Sequence, residues 1–190
     1  IYMGGGSPTY YHEKEFEVVM NKMRSFIDFD KVKTFTVEID PRKVDENRLL
    51  FYSSEGVDKI SLGIQDFDIK VQNRINRLQS PSIIRNLLTD NVRNRFRSIN
   101  FDLLIGLPGQ TKESIRSTIT EVVNLRPDRI ALAYLHYDPE HYPHQRHMML
   151  EGLLPDFFSR KEIFVEALEC LENSSYIRTG FEHFAVPEDD

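Results

Sequence analysis

Residues 100–123 read NFDLLIGLPGQTKESIRSTITEVV and give the clearest indication of the fold class. Residues 99–105 form a largely apolar run, which predicts a strand. The glycines and proline of residues 106–109 end that strand, and Thr111 is a residue type that caps the start of a helix. Apolar residues then recur on one helical face at Ile115, Ile119, Val122 and Val123. The segment therefore predicts a strand, a short turn and an amphipathic helix.

The same alternation repeats along the rest of the chain. Further strands are predicted at 32–39, 59–64 and 129–135, and further helices near 16–27, 45–53, 81–92 and 157–171. Strands that alternate with helices about five times predict an α/β fold with βαβ units and a parallel sheet. Right-handed connections leave an open doubly wound sheet or a complete or partial barrel. In each case the functional groups are expected at the carboxyl ends of the strands.

Composition excludes several classes of function. The chain has 190 residues, of which 40% are apolar and 28% charged, and its net charge is −6, which is typical of a soluble globular protein. The chain has no long basic block that would favour a nucleic-acid partner, and it has no apolar run long enough to span a membrane. We therefore expect a cytoplasmic protein without a nucleic-acid or membrane partner. Cys170 is the single cysteine, and its helical apolar surroundings predict a small buried hydrophobe rather than a catalytic thiol.

Polar residues follow or interrupt several predicted strands. A glycine turn, Gly4-Gly5-Gly6-Ser7, comes after the first strand, and its spacing differs from the P-loop and dinucleotide motifs. The other polar positions are Glu38, Asp40, Gln65, Asp66 and Asp102. Each could be an internal salt bridge or cap, and the glycines could form a plain tight turn. Because polar groups recur at four strands, a shared ligand pocket is the favoured interpretation.

The segment from His136 to His147 is rich in histidine and aromatic residues. This composition predicts a long loop, and long loops in compact domains are often functional. Its histidine spacing leaves a metal site open, although solvent-exposed histidines are the favoured interpretation.

Several motifs resemble those of one enzyme family. The run GGGSPTY at residues 4–10 resembles the glycine motif of radical S-adenosylmethionine (SAM) enzymes. Further motifs resemble, in order and with similar spacing, those of oxygen-independent coproporphyrinogen III oxidases: EIDP at 38–41, GIQDF at 63–67, VQ-x-x-INR at 71–77, DL-x-x-GLP at 102–108 and EHFA at 182–185. Haem-chaperone relatives of that family typically have Gln-Ser-Phe at 65–67 and Arg-x-His at 76–78, where this chain differs.

The resemblance implies a fold, two cofactors and a set of site residues. It implies that residues 1–190 are the central and C-terminal part of a partial (βα) radical SAM barrel that uses a [4Fe–4S] cluster and two SAM molecules. Gly5 and Glu38 match positions that contact the cluster-bound SAM. The positions around the second SAM match Gly6, Ser7, Gln65, Arg77 and Asp102. His136, where the family usually has a small residue, is also expected to contact SAM. Ser7 replaces the family's usual threonine, and the 136–147 segment replaces an Ala-His-x-Pro version.

The implied reaction is the oxidative decarboxylation of two propionates of coproporphyrinogen III, which gives protoporphyrinogen IX without oxygen in haem biosynthesis. The implied partners are a tetrapyrrole substrate and an unidentified electron donor, and we expect a monomer. The family's cluster cysteines would lie before Ile1 and its substrate-covering domain after Asp190, so we expect the 190-residue chain alone to be inactive. The alternatives are a haem chaperone on the same scaffold and a non-catalytic α/β binding module.

Overall fold

The computed structural model describes residues 1–189. They divide into two compact units, of which the first comprises Ile1–Gly63 and Ser82–Asn100 and the second comprises Ile64–Pro81 and the chain from Phe101 onward. Within the described range, no helix is long and apolar enough to cross a membrane.

Strands and helices alternate through most of the chain. The strands are β1 (Tyr2–Met3), β2 (Thr36–Ile39), β3 (Lys59–Gln65), β4 (Ser98–Ile105), β5 (Arg129–Tyr134), β6 (Ile177–Arg178) and β7 (His183–Ala185). The helices are α1 (Glu13–Arg24), α2 (Glu46–Ser54), α3 (Ile69–Arg74), α4 (Pro81–Leu87), α5 (Asp90–Arg93), α6 (Lys112–Leu125), α7 (Pro143–Leu150) and α8 (Phe157–Glu172).

In the first unit the strands β1, β2 and β3 are parallel neighbours. Their side chains alternate between two faces, as a pleated strand requires. Val37 of β2 lies opposite Ile60 of β3, and both are buried. Helices α1 and α2 contribute Phe16 and Tyr52 to this core, with ring centroids 4.9 Å apart. Glu38 is on the other face of β2 from Val37 and stays half-buried.

In the second unit β7 pairs antiparallel with both β5 and β6. Thr111 caps α6 as predicted, because its side chain accepts a hydrogen bond from the Ser114 amide. The predicted apolar face of α6 is buried at Ile115, Ile119 and Val122, which confirms its helical spacing. The antiparallel end of the sheet was not predicted, since β6 and β7 are too short to carry a periodic signal.

Several sequence-based boundaries are wrong. The helix predicted over 81–92 is interrupted, because the Thr89 side chain accepts a hydrogen bond from the Val92 amide and starts α5. The loop predicted from His136 to His147 contains the start of α7, where Pro143 supplies the backbone angle that a first helical turn needs. The strand predicted from Val32 begins only at Thr36, because the Val32 amide closes the 3-10 turn of Phe29–Lys31 and the Phe35 amide donates to the Asp58 side chain.

Candidate functional site

The glycine turn of the first unit is built around the carboxylate of Glu38. The Gly5 amide donates to Glu38 Oε2 at 3.2 Å, and the Tyr2 hydroxyl donates to Oε1 at 3.0 Å. A Cβ at Gly4 would lie 2.3 Å from Glu38 Cδ, so only glycine permits this approach. Gly5 has a φ of 88°, which also favours glycine. The glycine at position 4 therefore leaves room for the Glu38 carboxylate to pack against the turn, and the pairing of β1 with β2 brings the two together.

Ser7 connects the same turn to the end of β2. Its hydroxyl lies within hydrogen-bond distance of the Thr9 hydroxyl and accepts from the Asp40 amide at 3.3 Å. Asp40 itself is buried and forms a two-point ion pair with Arg42, with Nε–Oδ1 at 2.9 Å and Nη2–Oδ2 at 2.7 Å. This hydrogen bond raises the pKa of the Arg42 guanidinium. The salt-bridge interpretation therefore holds for Asp40, whereas Glu38 accepts hydrogen bonds from Tyr2 and Gly5.

Gln65 ends β3 in an unusual backbone conformation. Its φ is 68°, and the Asp66 amide donates to the Ile64 carbonyl at 2.9 Å, which closes a three-residue γ-turn. The γ-turn with positive φ is rare and strained. Strain of this kind persists only where the surrounding structure enforces it, and it concentrates at functional sites. The half-buried side chain of Gln65 is therefore held in a backbone position that an unconstrained strand would not adopt.

Asp66 is fully buried next to this turn. Its carboxylate accepts hydrogen bonds from the Thr118 hydroxyl at 2.6 Å, the Gln110 amide group at 2.7 Å and the Asp68 backbone N–H at 2.7 Å. Burial raises the pKa of the Asp66 carboxyl, and these three donors partly offset the rise. Asp66 is therefore an internal anchor that joins the end of β3 to α6.

Gln72, which is also buried, connects the γ-turn to Arg77. Its Nε2 donates to the Asp66 carbonyl at 2.8 Å and to the Gln79 carbonyl at 2.6 Å. Its own backbone carbonyl accepts from the Arg77 amide at 2.9 Å, while Asn76 has a φ of 50°. This is the Schellman arrangement that ends a helix, here α3. Two predicted site residues, Gln65 and Arg77, thus belong to one hydrogen-bonded framework.

The other two predicted residues of the second unit lie on or after strands. Asp102 of β4 is half-buried, whereas its neighbours Phe101 and Leu103 are fully buried, so Asp102 is on the face opposite the apolar core. His136 follows β5 and is exposed, and its carbonyl accepts from Gln145 Nε2 at 3.3 Å.

The histidine-rich segment forms exposed pairs with acidic side chains. His141 Nδ1 is 2.9 Å from Asp138 Oδ1, and His147 Nε2 is 2.9 Å from Glu151 Oε1. Among the side chains that the structure describes, which do not include that of His144, no three His, Cys, Asp or Glu residues converge as a metal site would require. Cys170 is half-buried on α8, where burial and the nearby Glu166 raise the pKa of its thiol. A raised thiol pKa disfavours the reactive thiolate.

Sequence reasoning missed several residues that support these positions. Tyr2, which orients Glu38, lies in a strand too short to show a pattern. Gln110 and Thr118 bind Asp66 from 44 and 52 positions away, so no local spacing reveals them. Gln72 and Gln79 occur close to Gln65 in the sequence, but an amide side chain in a polar segment is usually exposed.

Comparisons with known proteins show which family the chain belongs to. The family model described as the Radical SAM superfamily matches residues 1–122. The oxygen-independent coproporphyrinogen III oxidases of Pseudomonas aeruginosa and Escherichia coli are each 33% identical over the whole of this chain. The chain spans 42% and 41% of the lengths of those relatives.

Solved structures show the same similarity. Coproporphyrinogen III oxidase from Escherichia coli, described as a radical SAM enzyme, matches the whole chain with a TM-score of 0.89 and 33% identity, and the match covers 43% of that chain. The archaeal Elp3 of Methanocaldococcus infernus matches 87% of this chain, and 43% of its own, with a TM-score of 0.67 at 13% identity, which shows the fold alone. The predicted fold class, an α/β fold of the partial radical SAM barrel type, is confirmed. The chain belongs to the radical SAM superfamily.

Proposed function

We propose that the full-length protein containing this chain decarboxylates coproporphyrinogen III to protoporphyrinogen IX by oxygen-independent, SAM-dependent chemistry. The observation that carries the proposal is the match of the whole chain, at a TM-score of 0.89 and 33% identity, to a coproporphyrinogen III oxidase. The proposed substrate is thus a tetrapyrrole, and the proposed setting is haem biosynthesis in the cytoplasm by a monomer with a separate electron donor.

The described residues fit SAM. At Gly5 and Gly6 an added Cβ would meet nothing within 4 Å, so the glycine turn has open space beside its backbone. Glu38 is the carboxylate next to that space and would accept hydrogen bonds from the ammonium group of a first SAM. Gly6 and Ser7 continue the turn and offer an amide and a hydroxyl, which the resemblance to the family assigns to the second SAM.

In the second unit we propose contacts to a second SAM. Arg77 offers a planar guanidinium that pairs with a carboxylate at two points, and the methionyl end of SAM carries such a group. Asp102 would accept hydrogen bonds from ribose hydroxyls or the ammonium group, and Gln65 offers both a donor and an acceptor. We also propose that the exposed ring of His136 contacts this second SAM.

When bound, SAM supplies the carbon radical that removes a hydrogen atom from the substrate propionate. The contribution of this chain is to bind SAM, orient it and keep its charged end paired. The [4Fe–4S] cluster that radical SAM membership implies does not fit the residues described, because such a cluster requires several thiolates and Cys170 is the single cysteine. We therefore assign its ligands to another part of the full-length protein.

The test is anaerobic turnover of the full-length protein with coproporphyrinogen III, SAM and a reductant. The expected product is protoporphyrinogen IX, measured by fluorescence after oxidation to the porphyrin, and its formation should require SAM. Stable haem binding without any decarboxylation would instead support the chaperone alternative. If neither porphyrinogen nor SAM is bound, the non-catalytic module remains.

A further inference from the structure

We propose that Asp66 is a positioning residue, whose buried carboxylate holds the strained γ-turn through which Gln65 is presented to SAM. This inference rests on the proposed SAM site and adds to it a residue that does not itself contact the ligand. Asp66 is 0% exposed, so it acts through the backbone and through its hydrogen-bond partners.

The backbone conformation at Gln65 requires a constraint from its surroundings. A residue with a side chain rarely adopts a positive φ, and the single hydrogen bond from the Asp66 amide to the Ile64 carbonyl does not by itself enforce one. An additional constraint must act on the residue that follows the turn. Asp66 is that residue, and its side chain is held at both oxygens.

The groups that hold Asp66 are themselves held in place by further hydrogen bonds. Thr118 of α6 donates to Asp66 Oδ1 and also accepts from the Phe67 amide at 3.1 Å. Gln110 donates to Asp66 Oδ2 and to the Leu104 carbonyl at 2.9 Å, while its Oε1 accepts from the Gly106 amide at 2.7 Å. Each partner is therefore fixed by a second bond and cannot rotate without losing it.

The carboxylate of Asp66 matches its partners chemically. All three partners of its oxygens donate, so a group that only accepts satisfies every one of them. An asparagine of the same shape would turn an NH2 group toward at least one donor. Because Gln110 is fixed by its other bonds, it cannot reverse its amide to compensate.

Asp66 is also connected to Arg77 through Gln72. The carbonyl of Asp66 accepts from Gln72 Nε2, and the carbonyl of Gln72 accepts from the Arg77 amide. Displacement of Asp66 would thus be transmitted to a second proposed SAM contact. We expect the displacement to be larger at Gln65, because Gln65 precedes Asp66 directly in the chain.

The experiment is a double-mutant cycle on SAM affinity in the full-length protein, measured by anaerobic calorimetry together with the melting temperature. Gln65→Ala and Asp66→Asn should each weaken binding at the affected site about tenfold, which corresponds to one lost hydrogen bond. Asp66→Asn should add little further loss in the Gln65→Ala background, because most of its effect passes through Gln65 and only the smaller part through Arg77. Thr118→Val removes the hydroxyl that donates to Asp66 Oδ1, and it should cause a smaller loss of SAM affinity. Thr118→Ser keeps the hydroxyl and should keep the affinity of the wild type.

Glu166→Gln is the matched control, since Glu166 is a buried carboxylate of α8 that pairs with Arg116 at 2.8 Å. It should lower the melting temperature and leave SAM affinity unchanged. The inference is overturned if Asp66→Asn lowers the melting temperature without weakening SAM binding, or weakens it equally in both backgrounds. If Gln65→Ala itself leaves SAM affinity unchanged, the proposed SAM contact of Gln65 fails, and this inference fails with it.

Discussion

Glu38 is the side chain of the first unit whose position most directly supports a ligand role. It accepts hydrogen bonds from Gly5 and Tyr2 and is half-buried, so its carboxylate is oriented but still accessible. We predict that Glu38→Ala weakens SAM binding by roughly 10-fold to 100-fold, since a hydrogen bond to a charged group contributes about 1.5–3 kcal/mol. Isothermal titration with SAM measures the change.

A matched control for Glu38 is available at the opposite end of the same strands. Asp58 accepts from the Phe35 amide at 2.6 Å and pairs with Arg97 at 3.1 Å, just before β3 begins. Asp58→Ala should lower the free energy of unfolding and leave SAM affinity unchanged. Equal SAM affinity in wild type and Glu38→Ala would remove Glu38 from the site.

Arg77 and Asp102 test whether the second unit binds SAM. Arg77→Lys keeps the charge but loses the two-point geometry, and Asp102→Asn removes the charge, so both should lower protoporphyrinogen formation. The free energy of unfolding should change by less than about 1 kcal/mol if the side chains serve a ligand. A loss of roughly 3–5 kcal/mol with normal specific activity would show instead that they stabilise the fold.

The two strand ends show what sequence could and could not predict about single residues. The sequence predicted Glu38 and Gln65 near the ends of strands, and the structure has Glu38 as the next-to-last residue of β2 and Gln65 as the last residue of β3. The different roles of Asp40 and Asp66 were not predictable. Both are acidic residues at strand ends, yet one is paired with Arg42 two residues away and the other with Thr118 on a distant helix. Only the tertiary structure distinguishes them.

Among the elements, β4, its turn and α6 follow the sequence most closely. The Thr111 side chain accepts from the Ser114 amide at 3.2 Å, and the Ser114 hydroxyl accepts from the Thr111 amide at 2.9 Å. We predict that Thr111→Ala lowers the free energy of unfolding by about 1 kcal/mol, because α6 loses its cap. Chemical denaturation measures this, and Thr111→Ser serves as the control that retains the cap. A change in SAM affinity without a change in stability would contradict a purely structural role for Thr111.

Elements whose boundaries depend on one local residue were predicted less well. A helical pattern runs through residues 81–92, but the Thr89 hydroxyl competes for a backbone amide and divides the segment into α4 and α5. Likewise, the polar composition of residues 136–147 suggested a loop, although Pro143 at the first turn starts α7. In both segments a single local interaction outweighs the average character of the sequence.

For the whole molecule, the single cysteine leads to a prediction about the 190-residue chain on its own. One thiolate cannot hold a [4Fe–4S] cluster, so anaerobic reconstitution of this chain with iron and sulfide should give no stable cluster absorption. The full-length protein, treated in parallel, should give it. A stable cluster spectrum from the 190-residue chain would contradict the assignment of the ligands to another part of the protein.

The number of SAM molecules bound by the reconstituted full-length protein tests the account most directly. Glu38 belongs to the first unit and Gln65 to the second, and the account assigns them to different SAM molecules. Equilibrium dialysis with labelled SAM should therefore show two molecules per protein, and Glu38→Ala and Gln65→Ala should each reduce the tightly bound number to one. A wild-type protein that binds a single SAM, or variants that both still bind two with unchanged affinity, would contradict it.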